Sequence, residues 1–205
     1  MSVIFYTNPM SRGQIARWAL EESGVAYEQR IMGYGTSMKD ADYLAINPMG
    51  KVPAIVHDGQ VVTECAAICA YLAEAFPGAG LAPIAAERAD YYRWLFFAAG
   101  PVEQAVVARS MGWDVPPEKQ GMAGFGNFDL TIDTLAAHLG SHDYVCAARF
   151  TAADIYVGSQ VLWGLDFKSI PSRPELEAYA ARLRQRPAYQ KAKAIDAALI
   201  AEAQG

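Results

Sequence analysis

Apolar and polar positions alternate with different periods in two parts of the chain. Val3-Ile4-Phe5-Tyr6 is a short unbroken apolar run, the mark of a buried strand, and Asn8-Pro9 ends it. From Ser11 onward Ile15, Trp18 and Ala19 fall at helical spacing, with Gly24 as a C-cap. A second strand is predicted around 26–32, a loop at Gly33-Tyr34-Gly35 and a short helix within 40–46. Two strands, 52–56 and 60–63, flank Asp58-Gly59, a strong hairpin signal. A helix over 64–76 carries Ile68, Tyr71 and Leu72 on one face. The predicted order is β-α-β-(α)-β-β-α.

Pro77-Gly78-Ala79-Gly80 and Pro83 interrupt the pattern, and after them only helical periods remain. A long helical stretch over 85–111 contains Gly100-Pro101, which should kink it. The segment 114–126 reads as loop, and helices return at 127–139, 151–165, 174–184 and 188–203. The chain therefore divides into an α/β domain at 1–78, a linker at 79–85 and an all-helical domain at 86–205.

Composition narrows the class without naming the activity. A chain of 205 residues, 53% hydrophobic, buries roughly 70% of its unfolded surface and needs no staple. The longest apolar run, Trp94 to Val102, stops at Glu103, far short of the about 20 residues of a membrane span. The net charge of −5 is spread over both halves, so neither offers the basic surface that nucleic acid rewards. Three cysteines without framework spacing and no basic leader suit a reducing cytoplasm. Cys65 and Cys69 lack further ligands for zinc, and His57, His138 and His142 are scattered, so no metal is expected.

Three segments carry chemistry. They are Asn47-Pro-Met-Gly-Lys-Val-Pro-Ala-Ile55, Thr63-Glu64-Cys65 at a helix start, and Phe150-Thr-Ala-Ala-Asp-Ile155. Together, and in this order, they resemble the cytosolic glutathione transferases over nearly the whole chain. The resemblance implies a thioredoxin-like N-terminal domain and an all-helical C-terminal domain that contributes an electrophile pocket. It also implies a cytoplasmic homodimer that takes glutathione as co-substrate and conjugates it to small hydrophobic electrophiles, a detoxifying reaction.

By the same resemblance, Val52-Pro53 is a cis bond and the Val52 main chain holds the cysteinyl part of glutathione, much as an added strand pairs with an open edge. Glu64 would meet the γ-glutamyl ammonium. The helix start at Cys65, where the family has serine, would meet the γ-glutamyl carboxylate, because free N–H groups favour anions there. A thiol donates more weakly than a hydroxyl, so this departure weakens the side-chain contact. Lys51 and Lys39 are candidates for the glycyl carboxylate; the alternative for each is a solvated surface lysine, which residue physics favours for Lys39.

The reactive species must be the glutathione thiolate. Ser11, where the first helix is predicted to begin, matches the serine-type members and is the catalytic candidate. Ser11-Arg-Gly-Gln14 also fits a capping box, in which Ser11 would serve the backbone alone. Tyr6, Asn8 and Met10 are alternative sulfur-contacting residues. Thr151-Ala-Ala-Asp154 is a capping box for a buried helix and is kept out of the site; four residues before its threonine the family has glycine, and this chain has Ala147. Two further readings share the motifs: a glutathione-dependent isomerase, reductase or dehalogenase, and a non-catalytic regulatory relative.

Overall fold

The computed structural model describes residues 2–204. Strands β1 (Val3–Thr7), β2 (Tyr27–Ile31), β3 (Ala54–His57) and β4 (Gln60–Thr63) form one sheet in the order β2-β1-β3-β4. Helix α1 (Gly13–Ser23) crosses from β1 to the parallel β2, whereas β3 and β4 run antiparallel as the Asp58-Gly59 hairpin predicts. A short α2 (Ala41–Leu44) precedes β3, and α3 (Cys65–Ala75) follows β4. This is a thioredoxin-like sheet.

Alternation along β1 sorts its two faces. Val3, Phe5 and Thr7 are buried on the face that α1 covers. Gly13 opens α1 so close to the sheet that a Cβ there would lie 2.0 Å from Thr7 Oγ1. Tyr6 points to the other face, where it packs against Met32, Met38 and Tyr43.

The chain separates into two compact units. One runs through Ala82 and resumes at Gln185; the other is Pro83–Arg184. The last helix, α9 (Pro187–Gln204), which the sequence placed in the helical domain at 86–205, thus groups with the sheet. Its partner is α1. Trp18 and Tyr189 meet edge to face with centroids 5.0 Å apart, and Arg186 pairs with Glu22 at 2.6 Å. Arg17, fully buried, bonds Asp196 at 2.8 Å, Tyr27 Oη at 3.1 Å and Gln29 Oε1 at 3.0 Å. An amphipathic period marks that α1 and α9 have apolar faces but not that they face each other.

The second unit is helical: α4 (Arg88–Phe97), α5 (Glu103–Ser110), α6 (Phe128–Ser141), α7 (Ala152–Asp166) and α8 (Pro174–Arg184). Gly100-Pro101 lies in a π-helical turn, Ala98–Val102, that joins α4 to α5. The missing proline N–H is accommodated there by a wider turn. Tyr91, Trp94 and Leu95 belong to the core.

At the start of α7 the buried Asp154 accepts four hydrogen bonds. They come from Val145 N–H at 2.7 Å, Thr151 N–H at 2.8 Å, Thr151 Oγ1 at 3.1 Å and Tyr179 Oη at 2.9 Å. Burial still pushes its pKa up to about 6, although all four bonds pull it down. Ala147 holds the turn before α7 with φ +74°. It adopts a left-handed backbone that a glycine would adopt freely, so the turn forms with strain.

Candidate active site

Strand register brings the sequence motifs to one end of the sheet. Tyr6 pairs with Ala54, so Pro53 stands level with the end of β1, where the 8–12 turn departs. Ala54 pairs with Thr63, so β4 ends at the same edge and delivers Glu64 and the first turn of α3 there.

The turn before α1 is held by short bonds. Asn8 is buried; its Nδ2 donates to Met32 O at 2.8 Å and its Oδ1 accepts Met10 N–H at 2.9 Å. Both ends of the amide are therefore used to shape the turn. Ser11 Oγ donates to Asn8 O at 2.6 Å and accepts Gly13 N–H at 2.9 Å. The capping box read from Ser11 and Gln14 is not formed. Gln14 Nε2 instead donates to Pro9 O at 2.6 Å, and its Oε1 accepts from Lys193 Nζ at 2.9 Å. Ser11 caps a nearer N–H because the helix starts two residues after it, at Gly13. Met10 is 64% exposed beside it, and Tyr34 Oη donates to Met10 O at 3.3 Å. Tyr6 lies on the other face of β1 from Thr7, in the cluster of Met32, Met38, Tyr43 and Val52.

The Val52–Pro53 peptide is cis, and Pro53 is buried. No hydrogen bond to the Val52 main chain is formed by any described residue. The segment leading to it is pinned. Tyr43 Oη and Asn47 Nδ2 both donate to Lys51 O, at 2.6 and 2.8 Å, and Asn47 Oδ1 accepts Met49 N–H at 3.1 Å. Burial pushes the Tyr43 phenol up to about 12, so it remains a donor. Lys51 itself is exposed with no side-chain partner among the described residues. Lys39 is not a loose surface lysine. Its Nζ donates to Gly50 O at 3.0 Å and Met49 O at 3.4 Å, closing the same turn. Gly50 has φ +56°, and a Cβ there would meet Met38 O at 2.7 Å.

Glu64 precedes α3 with φ +65° and ψ +122°, a backbone that costs a non-glycine residue of order 1–3 kcal/mol. The sequence had counted it within the helix. The strained backbone turns its exposed carboxylate outward at the helix start, and its C=O takes the first helical bond, from Ile68 N–H at 2.9 Å. Cys65 follows, 8% exposed, with Sγ donating to Arg12 O at 3.5 Å. Sequence reasoning missed this link and the Tyr43 and Tyr34 contacts. Each is a side chain to carbonyl bond between segments more than seven residues apart, and no spacing rule announces such bonds. The Asn47 turn did have a signal, the Asx-turn pattern of Asn-Pro-x-Gly.

A thioredoxin-like unit followed by a helical unit is the architecture of the glutathione-transferase class. The "Glutathione S-transferase, N-terminal domain" family matches residues 10–75. The glutathione S-transferase GstB of Escherichia coli is 30% identical over 183 residues, 84% of this chain and 88% of that protein. Among solved structures, a glutathione transferase from Methylococcus capsulatus superposes with a TM-score of 0.78 at 28% identity, covering 95% of this chain and 98% of that one. A sphingomonad glutathione S-transferase complexed with glutathione gives 0.76 at 28% identity, with coverage of 95% and 98%. The chain belongs to the glutathione S-transferase family of enzymes. Among the described residues no group of three or more metal-ligating side chains clusters, and no helix is long and apolar enough to cross a membrane.

Proposed function

We propose that the protein conjugates the glutathione thiolate to small, apolar electrophiles. One observation carries this reading: the Ser11 turn, the unpaired Val52 main chain and the start of α3 meet at one end of the sheet. In it, the γ-glutamyl ammonium pairs with Glu64 and the γ-glutamyl carboxylate with N–H groups of the first turn of α3, where the helix dipole favours an anion. The cysteinyl main chain adds to Val52 as a short extra strand. Lys51 takes the glycyl carboxylate, and Lys39, with two protons on the Met49 and Gly50 carbonyls, keeps one for the same end.

That placement leaves the sulfur at the Ser11 turn. The Ser11 hydroxyl has one proton, which goes to Asn8 O. Rotation about Cβ–Oγ redirects it to the thiolate, exchanging a neutral bond of about 1 kcal/mol for a charge-assisted one of about 2 kcal/mol. The difference lowers the thiol pKa by just under about one unit. The thiolate attacks, the new C–S bond forms and the leaving group departs with the bonding pair. The exposed Met10 side chain beside Ser11 supports an apolar second substrate. The same reading includes a cytoplasmic homodimer; the three buried thiols, none in a disulfide, support the reducing setting.

Calorimetric titration with glutathione, alongside turnover of a chlorinated aromatic compound, tests the reading. Binding and turnover are expected together. Ser11→Ala should raise the apparent pKa in kcat/KM by up to about one unit, and slow turnover by up to about tenfold below that pKa. Binding without conjugation would indicate an isomerase, reductase or dehalogenase. No binding at millimolar glutathione would indicate a non-catalytic relative.

A further inference from the structure

Cys65 stands where the family has a serine, and its side chain is committed elsewhere. The thiol has a single proton, and Sγ lies 3.5 Å from Arg12 O, a good distance for S–H···O. Cys65 is 8% exposed and α3 begins with it. On the other side, Arg12 C=O and Gly13 N–H belong to the same peptide unit. That unit is planar and stiff, with its C=O and N–H pointing in opposite directions. Its oxygen accepts from Cys65 Sγ, and from Ile15 N–H at 3.0 Å. Its N–H donates to Ser11 Oγ at 2.9 Å. One rigid plane therefore connects the side chain that opens α3 with the hydroxyl beside the proposed sulfur position.

We infer that Cys65 is a positioning residue, which holds the Arg12–Gly13 peptide plane so that its N–H fixes the orientation of Ser11 Oγ. The inference rests on the glutathione-conjugating reading above and adds to it a division of labour. The γ-glutamyl carboxylate is held by main-chain N–H groups of α3, without a side-chain donor at 65. The proton that a serine would offer the peptide end of the substrate is used instead to stiffen the turn at its sulfur end. A thiol suits that role, because the longer C–S bond and larger sulfur bridge to the facing carbonyl from a buried position one turn before Cys69. Burial holds Cys69 neutral, its pKa raised well above that of an ordinary thiol.

The test uses the full chain with Cys65→Ala and Cys65→Ser, each alone and with Ser11→Ala. The readouts are the pH profile of kcat/KM, KM for glutathione, and thermal midpoint. Cys65→Ala should move the apparent pKa of the bound thiol up by about half a unit, equivalent to about 0.7 kcal/mol. It should leave KM for glutathione within about twofold, since the carboxylate contact is main-chain. In the Ser11→Ala background the same substitution should shift the profile no further, because Ser11 is the group through which it acts. Cys65→Ser, with a shorter reach, should release Arg12 O, tighten glutathione by up to about fivefold through a new hydroxyl contact, and shift the profile as alanine does. An unchanged profile in both variants, a purely KM effect in Cys65→Ala, or a shift additive with Ser11→Ala would overturn the inference. If the unsubstituted protein itself fails to bind glutathione by calorimetry, the conjugating reading falls instead. If Cys65→Ala lowers the thermal midpoint too far to assay, Cys65→Ser carries the decision alone.

Discussion

The pair Arg17–Asp196 is a sharp probe of how α1, and with it the Ser11 turn, is held. Both side chains are buried, and one bond joins them, Nε to Oδ1 at 2.8 Å. Among the described residues Arg17 Nη2 and Asp196 Oδ2 have no partner. The bridge is thus single rather than forked, and two polar atoms stay unsatisfied at about 1–3 kcal/mol each. Burial already raises the Asp196 pKa against the pull of Arg17. Asp196→Ala would strand a guanidinium that retains hydrogen bonds to Tyr27 Oη and Gln29 Oε1 and the Phe5 ring, 5.3 Å from its Cζ. Removing one partner of a buried pair costs about 3–5 kcal/mol, and those two remaining acceptors place this case near about 3. With a urea slope of about 2 kcal/mol per molar, the midpoint should fall by about 1.5 M. Arg17→Met with Asp196→Leu removes both charges and both orphans, and should restore stability to within about 1 kcal/mol of the parent. With Arg17→Met and Asp196→Leu each also made alone, the double-mutant cycle should give a coupling energy of at least about 2 kcal/mol. Urea unfolding followed by far-UV circular dichroism provides every value. If Asp196→Ala shifts the midpoint by less than about 0.5 M, or the double variant is as unstable as the sum of the singles, the pair is not an isolated buried charge couple and the reasoning fails.

Two further substitutions test the helical unit. Asp154 has a folded pKa of about 6 against 3.8 for an ordinary aspartate, so the folded protein binds the extra proton between these values. Its contribution is therefore fully present below about pH 4 and is lost as pH rises through about 6, by order 3 kcal/mol. Asp154→Asn should flatten the stability–pH curve in that window while lowering stability throughout, because an amide nitrogen would face the Thr151 donors; a slope that persists would refute the assignment. Ala147→Gly should relieve the left-handed backbone at φ +74° and leave stability unchanged or up to about 1 kcal/mol higher. The same change at the exposed helical Ala137 should cost about 1 kcal/mol, and equal losses at the two sites would count against the strain.

Local chemistry made much of the fold legible. Val3 to Tyr6, Asp58-Gly59 and Gly24 each announce an element whose cause lies within a few residues, and β1, the hairpin and the end of α1 stand where those signals put them. The motif residues at 51–53 and 64–65 were likewise readable, because turns and helix starts have compositional marks. What escaped was long-range. Nothing near Arg17 names Asp196 as its partner, and nothing near Cys65 names Arg12 O. Ser11 shows the limit from the other side: S-x-x-Q satisfies the capping pattern, yet Gln14 finds Pro9 O and the box dissolves. A motif specifies which bonds are possible, and the packed chain selects among them.

The return of α9 to α1 has a consequence for how the chain comes into being. Residues 17 and 196 are 179 positions apart, and the whole of Pro83–Arg184 is synthesised between them. Until Asp196 emerges, Arg17 lacks the carboxylate it pairs with, and Trp18 lacks the Tyr189 ring against which it packs. The sheet and its first helices therefore leave the ribosome as an unfinished unit. That unit must keep Arg17 and Trp18 solvated while the later helices are made. The sheet unit is begun before the helical unit and completed after it.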